Sequence, residues 1–425
     1  MRPPDPFARR LALVAAGALA VRVAAAFGAK DNLVQGDAMI FHQVAQNIAD
    51  GDGFTQAFAD APTAEHPPGW EVVLAAADLV GGNGYFSHRL LGAAIGTVTV
   101  VLIGLLGGRV AAEPGGRRGD AVGLVAAGIA AVYPMLWAAD VSLMSETLYG
   151  ALVVGSLLAL AAVRDRPGVK RAALAGALLG AAALTRGEAL LLVPLLLIPF
   201  TWRHRRAMVT GLAAFALVLA PWLIRNATTF EDPPLISGNA NNLWAGANCR
   251  ETYYEELIGY WRFQCYSDER PGEDESEYYA RQREEGWAYA RDHAARLPAV
   301  VPVRVLRVLD AWSLPQSVFI NAQEGRGTAS TRWGIRMWWL LAPLAAAGAF
   351  LVRRRERWLL LAPVAMVIAV AAVTYGTTRF RFAAEPSVCV LAATTLVAFR
   401  TRMTQFHIAT SRRPGTRAMN ASRGQ

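Results

Sequence analysis

The sequence predicts an all-α polytopic membrane protein: a bundle of about ten transmembrane helices with interfacial helices and an outer loop region. Of its 425 residues, 54% are hydrophobic and only 18% are charged, whereas a soluble domain of average composition carries about 25% charged residues. The charges are also unevenly placed, because long stretches of the chain contain none. Long uncharged apolar stretches are typical of helices that cross a bilayer.

The net charge of +9 does not indicate nucleic-acid binding. Nearly all the basic residues are arginines in short clusters between apolar segments, where they orient helices in a membrane. Three cysteines are too few for a disulfide scaffold or a zinc cluster. The sequence shows no glycine-rich nucleotide fingerprint after a strand pattern and no internal repeat.

Ten apolar runs are long enough to cross, or nearly cross, roughly 30 Å of hydrocarbon. They lie near 11–28, 87–108, 120–139, 142–163, 171–184, 188–202, 207–224, 335–352, 358–375 and 383–399. The runs 171–184 and 188–202 are short, so these helices are expected to tilt or to stop inside the bundle. The first run, 11–28, could be a signal peptide, but the spans that follow favour an uncleaved first helix.

The apolar run 69–80 is too short to span, and it predicts an amphipathic helix at the interface. With this choice the arginine clusters fall in alternate connections, which the positive-inside rule assigns to the cytoplasm together with both termini. The protein is then a multi-pass protein of the plasma membrane, with 29–86 and 225–334 outside. In the second segment, 276–297 is predicted to be helical and 299–312 to be an interfacial helix.

Four parts follow from this topology. Residues 1–224 form an N-terminal transmembrane module whose first outer loop, 29–86, carries the catalytic residues. Residues 225–334 form an extracytoplasmic loop region, 335–400 the C-terminal transmembrane helices, and 401–425 a basic cytoplasmic tail.

The outer loop region contains two of the three cysteines. Because Cys249 and Cys265 lie in an oxidising compartment, we expect them to form a disulfide, with two separate free thiols as the alternative. Cys389 lies within a span and is expected to remain a thiol.

Ionisable residues gather at the outer ends of the predicted helices. They are Asp37, Glu65, His66, Asp140, Glu146, Arg186, Glu188, Arg379, Arg381 and Glu385. Charges at the membrane boundary of a bundle are costly unless they are paired or used, so each is a candidate for function. For each one, an interfacial ion pair that only joins helix ends is the alternative.

Short motifs surround several of these residues. Asp37 opens a helix just after the first span, so a helix cap or a salt bridge to Lys30 or an outer arginine competes with a catalytic role. In Glu65-His66-Pro67-Pro68-Gly69-Trp70, two prolines hold Glu65 and His66 rigidly at the bilayer surface. Three more motifs fall at outer helix ends, namely Ser-Glu-Thr-Leu-Tyr at 145–149, Leu-Thr-Arg-Gly-Glu at 184–188 and Tyr-Gly-Thr-Thr-Arg-Phe-Arg-Phe at 375–382.

In combination, these motifs resemble the GT-C superfamily of polyprenyl-phosphate-sugar glycosyltransferases, in the branch of the protein O-mannosyltransferases and the aminoarabinose transferase of lipid A. The resemblance covers most of the chain. It implies transfer of a hexosyl or pentosyl group from a polyprenyl-phosphate donor to an acceptor hydroxyl on the extracytoplasmic side, with inversion. The acceptor would be a glycan, a lipid or a protein.

The resemblance also implies roles for residues of the first outer loop. Asp37 matches the catalytic carboxylate. Glu65 and His66 match a Glu-Lys pair in which the glutamate contributes to a metal site and the lysine contacts the lipid phosphate. Glu65 is therefore a candidate ligand for a divalent metal, the only cofactor suggested. Because histidine replaces lysine, His66 binds phosphate as a cation only when it is protonated.

Later residues match the basic part of the site. Arg379 or Arg381 resembles the late basic residue near the donor phosphate, and Arg379 is preferred because it directly follows the Gly-Thr-Thr turn. Arg186 is a further candidate for phosphate binding, with Glu146 and Glu188 lining the site. Such cations stabilise the leaving phosphate, and a carboxylate takes the proton of the acceptor hydroxyl.

Two other classes of protein remain open. A transporter or lipid flippase would have a similar number of spans, but such proteins usually place ionisable sites near the midplane, often in repeated halves. Arg22 is the main charged residue within a span, and it either reaches outward or pairs inside the bundle. A non-catalytic subunit of a membrane assembly is the third class.

Overall fold

The computed structural model describes residues 6–112 and 117–411, and within these ranges the regular elements are helices. The α-helices are α1 (Pro6–Gly28), α2 (Asp37–Asp50), α3 (Pro68–Asp78), α4 (Tyr85–Val110), α5 (Arg117–Val132), α6 (Pro134–Asp140), α7 (Glu146–Asp165), α8 (Val169–Ala183), α9 (Ile198–Thr201), α10 (Arg205–Thr229), α11 (Asn239–Ala247), α12 (Arg250–Tyr254), α13 (Glu275–Asp292), α14 (Leu297–Val308), α15 (Leu314–Gln323), α16 (Thr328–Leu351), α17 (Arg354–Val373) and α18 (Glu385–Ser411). Most of the tail predicted at 401–425 lies outside the described residues.

The all-α polytopic class is confirmed, but the count of ten spans is not. Among the described helices, six are long and apolar enough to cross a membrane: α1, α4, α7, α10, α16 and α17. A seventh is added if α5 and α6, which meet at a bend of 59°, form one span.

The two shortest predicted spans explain part of this difference. Helix α8 has only 15 residues, which at 1.5 Å per residue is too short for roughly 30 Å of hydrocarbon. The next run is divided into a 3₁₀ helix (Gly187–Leu191), a π-helical turn (Val193–Leu197) and α9. Pro194 and Pro199 fall in this run, and because proline lacks a backbone donor it interrupts a regular helix.

Arg22 pairs inside the bundle. Its side chain on α1 is 1% exposed, and its Nε donates to Asp140 Oδ2 at 2.7 Å. Gly96 on α4 makes room for this pair, since a Cβ there would lie 2.0 Å from the Asp140 carboxylate. A buried arginine needs such a partner, and the pair joins α1 to the end of α6.

Helices α2 and α3 pack against each other through a small apolar core. Phe41 and Ala45 of α2 lie against Trp70 and Leu74 of α3, as expected for helices with one apolar face. The Trp70 indole donates to the Leu143 carbonyl at 2.9 Å, which ties α3 to the turn before α7. This packing places the first residue of α2, Asp37, next to the start of α7.

Residues 230–327, between α10 and α16, form a connecting region that folds back over the segment before α3. The Gly238 N–H donates to the Ala64 carbonyl at 2.7 Å, and the Asn239 N–H donates to the Glu65 carbonyl at 2.9 Å. The Glu275 carboxylate at the start of α13 accepts the Ala64 N–H at 2.8 Å. These bonds hold Glu65 and its neighbours in place.

A disulfide lies within the connecting region. It joins Cys249, just before α12, to Cys265, with the Cα atoms 6.0 Å apart. In the chain-entropy account, closing so short a loop stabilises the fold by roughly 3 kcal/mol. Cys389 on α18 is a buried free cysteine.

Candidate active site

Arg379 lies at the centre of a network of charged side chains at the α2 end of the bundle. It belongs to a 3₁₀ helix, Thr378–Ala383, between α17 and α18. Its Nη1 donates to Asp37 Oδ2 at 2.8 Å, and its Nε donates to Glu146 Oε1 at 2.5 Å. Glu324, just after α15, has Oε1 4.0 Å from the same Nη1. One guanidinium therefore joins three carboxylates from distant parts of the chain.

Arg186 extends this network to the turn after α8. It donates to Glu146 Oε1 at 3.0 Å and to Glu188 Oε1 at 2.6 Å. Its guanidinium also lies over the rings of Tyr149 and Phe380, 5.9 and 5.8 Å from their centroids, as in cation–π contacts. Glu146 thus bridges two arginines and is only 1% exposed.

Asp37 remains partly accessible at the edge of the network, with 30% of its side chain exposed. Burial raises the pKa of this carboxyl, but the charge of Arg379 and then that of His66 outweigh burial and bring the pKa far below its usual range. Asp37 is therefore ionised at neutral pH and paired with Arg379. The N-cap of α2 is Gly36, and Asp37 is the first residue of the helix.

His66 lies in a buried acidic setting beside Asp37. Its Nε2 is 3.8 Å from Asp37 Oδ1, longer than a hydrogen bond, and its ring contacts that of Phe41 with the centroids 4.6 Å apart. Burial lowers the pKa of His66, but the negative charges of Glu65, Asp37 and Glu71 raise it to about 9. In this arrangement His66 is a cation at neutral pH, which the sequence alone left open.

Two buried glutamates accompany His66. Burial raises the pKa of Glu65, with opposing effects of His66 and Asp37. Burial likewise raises the pKa of Glu71, on α3, to about 8. Both glutamates are among the groups that raise the pKa of His66.

The residues around Glu65 do not form a compact metal site. Over residues 6–112 and 117–411, three ligand atoms of His, Cys, Asp or Glu come within 4.8 Å of one another only at Cys249, Glu251 and Cys265, and both cysteines are in the disulfide. Glu65 has acidic neighbours, but their oxygens are not gathered at coordination distance. As placed, these residues do not fit a bound divalent cation.

Arg381 is not part of the Arg379 network. It is 1% exposed, and it donates to Asp310 Oδ2 at 2.9 Å and to Glu385 Oε1 at 2.5 Å. The Thr378 hydroxyl donates to the other Asp310 oxygen at 2.7 Å. These contacts hold the 3₁₀ helix in place, so the structure separates the two arginines that the sequence grouped together.

The sequence did not single out three charged residues that the structure places here. They are Glu71, Glu324 and Arg326. Glu71 lies within the apolar run that forms α3, so the sequence pattern did not indicate it. Glu324 and Arg326 belong to the polar turn Glu-Gly-Arg-Gly immediately before α16, which is the one signal that could have indicated them.

Several buried polar atoms in and beside the network have no hydrogen-bond partner among the described residues. They are both ring nitrogens of His66, Oε2 of Glu146, Oε2 of Glu324, and Nε and Nη2 of Arg326. Buried polar groups are rarely left unpaired. This end of the bundle therefore offers donors and acceptors that could bind a polar group.

Comparison with known families gives one match. Residues 65–224 match the sequence profile of the family described as Dolichyl-phosphate-mannose-protein mannosyltransferase. The matched segment includes His66, Glu146, Arg186 and Glu188. Among curated proteins, none matches the chain significantly.

Similar folds are found among solved structures. The archaeal oligosaccharyltransferase AglB from Archaeoglobus fulgidus, in complex with an inhibitory peptide and a dolichol-phosphate, matches 98% of this chain with a TM-score of 0.56 and 13% identity. The chain spans about half of AglB, 52% of its length.

ArnT from Cupriavidus metallidurans aligns less closely. Its apo structure covers 90% of this chain and 77% of its own, with 17% identity and a TM-score of 0.42. Its undecaprenyl phosphate complex covers 93% and 80%, with 16% identity and a TM-score of 0.40. Superpositions this loose support no conclusion about the chain.

The resemblance inferred from the motifs thus agrees with a sequence profile over part of the chain and with a similar solved fold. Residues 65–224 match the profile of the mannosyltransferase family, and the described chain is similar in fold to AglB.

Proposed function

We propose that the protein is a membrane glycosyltransferase that moves a sugar from a polyprenyl-phosphate donor to an acceptor hydroxyl. The observation that carries this proposal is the meeting of Arg379, Arg186 and Asp37 in one network at the end of an apolar helix bundle. A lipid-linked donor needs a cationic site for its phosphate next to the membrane. Transfer to a hydroxyl needs a carboxylate beside that site.

The arginines would hold the phosphate as it leaves. Arg379 is bonded to Asp37, whose side chain is 30% exposed, and an arginine fork suits a phosphate because it can donate two parallel hydrogen bonds. Arg186 is already bonded to Glu146 and Glu188, and it adds positive charge behind Arg379. The phosphate is a good leaving group, so attack from the opposite face needs no general acid and inverts the anomeric carbon.

The Asp37–Arg379 ion pair suggests the order of events. While Arg379 is bound to Asp37, this carboxylate is a weak base. A donor phosphate competes with Asp37 for the same guanidinium, and its binding would free the carboxylate to accept the proton of the acceptor hydroxyl. Donor binding would then precede base catalysis, which avoids activating the acceptor without a donor.

Arg381 takes a different role in this proposal. Through Asp310 and Glu385 it anchors the 3₁₀ helix that carries Arg379, so it acts as a positioning residue. Its removal would lower the thermal stability and would impair transfer only through Arg379.

We also propose that the site faces the extracytoplasmic side of the plasma membrane, with both chain termini in the cytoplasm. Arginine-rich connections at the opposite end of the bundle support this orientation. The four-part division with boundaries after residues 224, 334 and 400 belongs to the same proposal.

Reporter fusions test the orientation. A reporter after Gly82 or within 230–327 should be active outside the cell, and one at 353–356 should be active inside. The two sides follow from counting α3 as an interfacial helix. If reporters after Gly82 and at 113–118 are found on the same side, the orientation from residue 69 onward is wrong.

Lipid mass spectrometry of a strain lacking the protein tests the function. Loss of a transferase should cause its polyprenyl-phosphate sugar to accumulate, and restoring the wild-type chain should remove the accumulated lipid. Purified protein in lipid should release free polyprenyl phosphate from that donor when an acceptor is added. A transporter would leave the donor chemically unchanged in this assay, and that result would reject the proposal.

The charge of His66 leads to a pH prediction. Because the pKa of His66 is raised to about 9, its positive charge is present at pH 7 and is lost as the pH rises through 9. Binding of undecaprenyl phosphate to the purified protein should therefore weaken between pH 7 and pH 10. Glu71, whose pKa is raised to about 8, becomes negative over part of this range and acts in the same direction.

Substitution separates the two contributions. In His66→Gln the fall in lipid affinity above pH 8 should become shallower. In Glu71→Gln the fall in lipid affinity near pH 9, which is due to His66, should remain. An identical pH profile in wild type and His66→Gln would exclude His66 as a cation for the phosphate. It would point to a packing role against Phe41.

A further inference from the structure

Two tyrosines border the Arg379 network on the side of the connecting region. Tyr375 precedes Arg379 in the turn after α17. The Tyr260 ring packs edge-on against the Tyr375 ring, with the centroids 5.9 Å apart and the planes at 81°. The Tyr375 ring also contacts the ring of Phe380, with the centroids 4.8 Å apart, and the Arg186 guanidinium lies 5.8 Å from the centre of the Phe380 ring. Tyr375 therefore adjoins the arginine network, and Tyr260 adjoins Tyr375.

The backbone holds Tyr260 firmly in this position. The Gly376 N–H donates to the Gly259 carbonyl at 2.9 Å, and the Arg262 N–H donates to the Gly246 carbonyl at 2.9 Å. Gly259 has φ +73°, a left-handed conformation that favours glycine. A Cβ at Gly376 would lie 2.1 Å from the Arg304 carbonyl. A Cβ at Gly259 would lie 3.0 Å from the Arg304 backbone nitrogen, so both glycines allow close packing against the backbone of α14.

Some tyrosine hydroxyls in the fold are bonded within the protein: Tyr133 to Glu385, Tyr253 to Asn248, and Tyr266 to the Trp261 indole. Among the described residues, no such bond joins the hydroxyl of Tyr260 or Tyr375, and neither hydroxyl belongs to the fully buried polar atoms that lack a partner. Since a tyrosine hydroxyl in a protein interior usually finds a partner, these two are available to a ligand.

Other aromatic rings beside the network are already covered. The guanidinium of Arg186 lies over Tyr149 and Phe380. No guanidinium lies over Tyr260 or Tyr375 among the described residues, and both adjoin the network from the side of the connecting region.

We propose that Tyr260 and Tyr375 form the subsite for the sugar ring of the donor. The sugar is bonded directly to the phosphate, so it must lie within a few atoms of the group that Arg379 holds. A pyranose presents C–H groups on its faces and hydroxyls around its edge. Tyrosine matches this with an apolar ring and a hydroxyl that can both donate and accept. The subsite rests on the proposed function, because it assumes a lipid-linked sugar.

Binding of lipids with and without a sugar tests the subsite. The probes are undecaprenyl phosphate and undecaprenyl phosphates carrying a single mannose, glucose or arabinose, each titrated against purified protein in nanodiscs. Wild type should bind at least one sugar-linked lipid more tightly than the bare phosphate. In Tyr260→Ala the affinity for that lipid should fall by about tenfold, as expected for loss of roughly one strong polar contact and its packing. Binding of the bare lipid should be unchanged.

Two further variants make the result specific. Tyr260→Phe keeps the ring and should lose only part of the affinity for the sugar-linked lipid. Tyr254→Ala removes a tyrosine of the same region that is 52% exposed and stacks on Arg296, and it should match wild type with every lipid. Melting temperatures confirm that each variant is folded.

The outcomes distinguish the subsite from the function. If wild type binds the lipids but Tyr260→Ala binds the sugar-linked form equally well, or loses affinity for both forms alike, the subsite is rejected and the proposed function stands. If wild type binds no polyprenyl phosphate with or without sugar, the proposed function fails, and the subsite fails with it.

Discussion

Asp37→Asn is expected to lower the turnover of sugar transfer by roughly a hundredfold or more, the usual cost of losing a general base. Asparagine keeps the shape of the side chain and starts a helix about as well as aspartate, but it is a far poorer proton acceptor. The pairing of Asp37 with Arg379 also predicts how this substitution affects the affinity for the donor lipid. Because asparagine does not compete for Arg379 with a negative charge, binding of undecaprenyl phosphate should be retained or become tighter.

The alternatives for Asp37 give different results. If Asp37 only starts the helix, transfer by Asp37→Asn should be nearly normal. If its pairing with Arg379 is only structural, the melting temperature should fall while the folded protein transfers sugar at the normal rate. Asp50→Asn is a matched control, because it makes the same change at the exposed end of the same helix. Turnover close to wild type in folded Asp37→Asn would remove this residue from the mechanism.

Arg379→Ala is expected to weaken binding of undecaprenyl phosphate by about a hundredfold, which corresponds to roughly 2.7 kcal/mol. A charge-assisted, forked contact with phosphate is strong, and a single arginine makes it. The affinity is measured by titrating the lipid into purified protein in nanodiscs. Arg379→Lys should give an intermediate affinity, because it keeps the charge but loses the fork.

Stability must be measured alongside, since removing Arg379 leaves Asp37 and Glu146 without their partner. Arg332→Ala removes the same charge from an exposed position on α16 and should leave lipid binding unchanged. Arg381→Ala should mainly lower the melting temperature, because Arg381 pairs with buried Asp310. Unchanged lipid affinity in folded Arg379→Ala would show that Arg379 is an anchor for its carboxylates and that the phosphate binds elsewhere.

The sequence by itself determined the local elements around the site. Helix α2 begins at Asp37 as predicted and ends at Asp50, and its signals are adjacent in the chain: Gly36 before it, with φ +59°, and Gly51 after it, in the left-handed conformation. Helix α3 was likewise indicated by two prolines and an apolar run. Such features depend on near neighbours, so a pattern of residues is sufficient to predict them.

The sequence also identified most of the charges that meet at Arg379, because ionisable groups at the ends of membrane helices are rare and costly. It could not pair them. Arg379 is 342 positions from Asp37 and 233 from Glu146, and contacts at such separations follow from the packing of whole helices.

Only the tertiary structure decided which arginine joins the site and what else surrounds it. Arg379 and Arg381 are two positions apart in a 3₁₀ helix, where three residues make a turn, so they point in different directions: one toward Asp37 and the other toward buried Asp310. Glu324 reaches Arg379 because the connecting region folds back toward α2 and α3. That fold depends on close backbone contacts at glycines, which no periodic pattern in the sequence records.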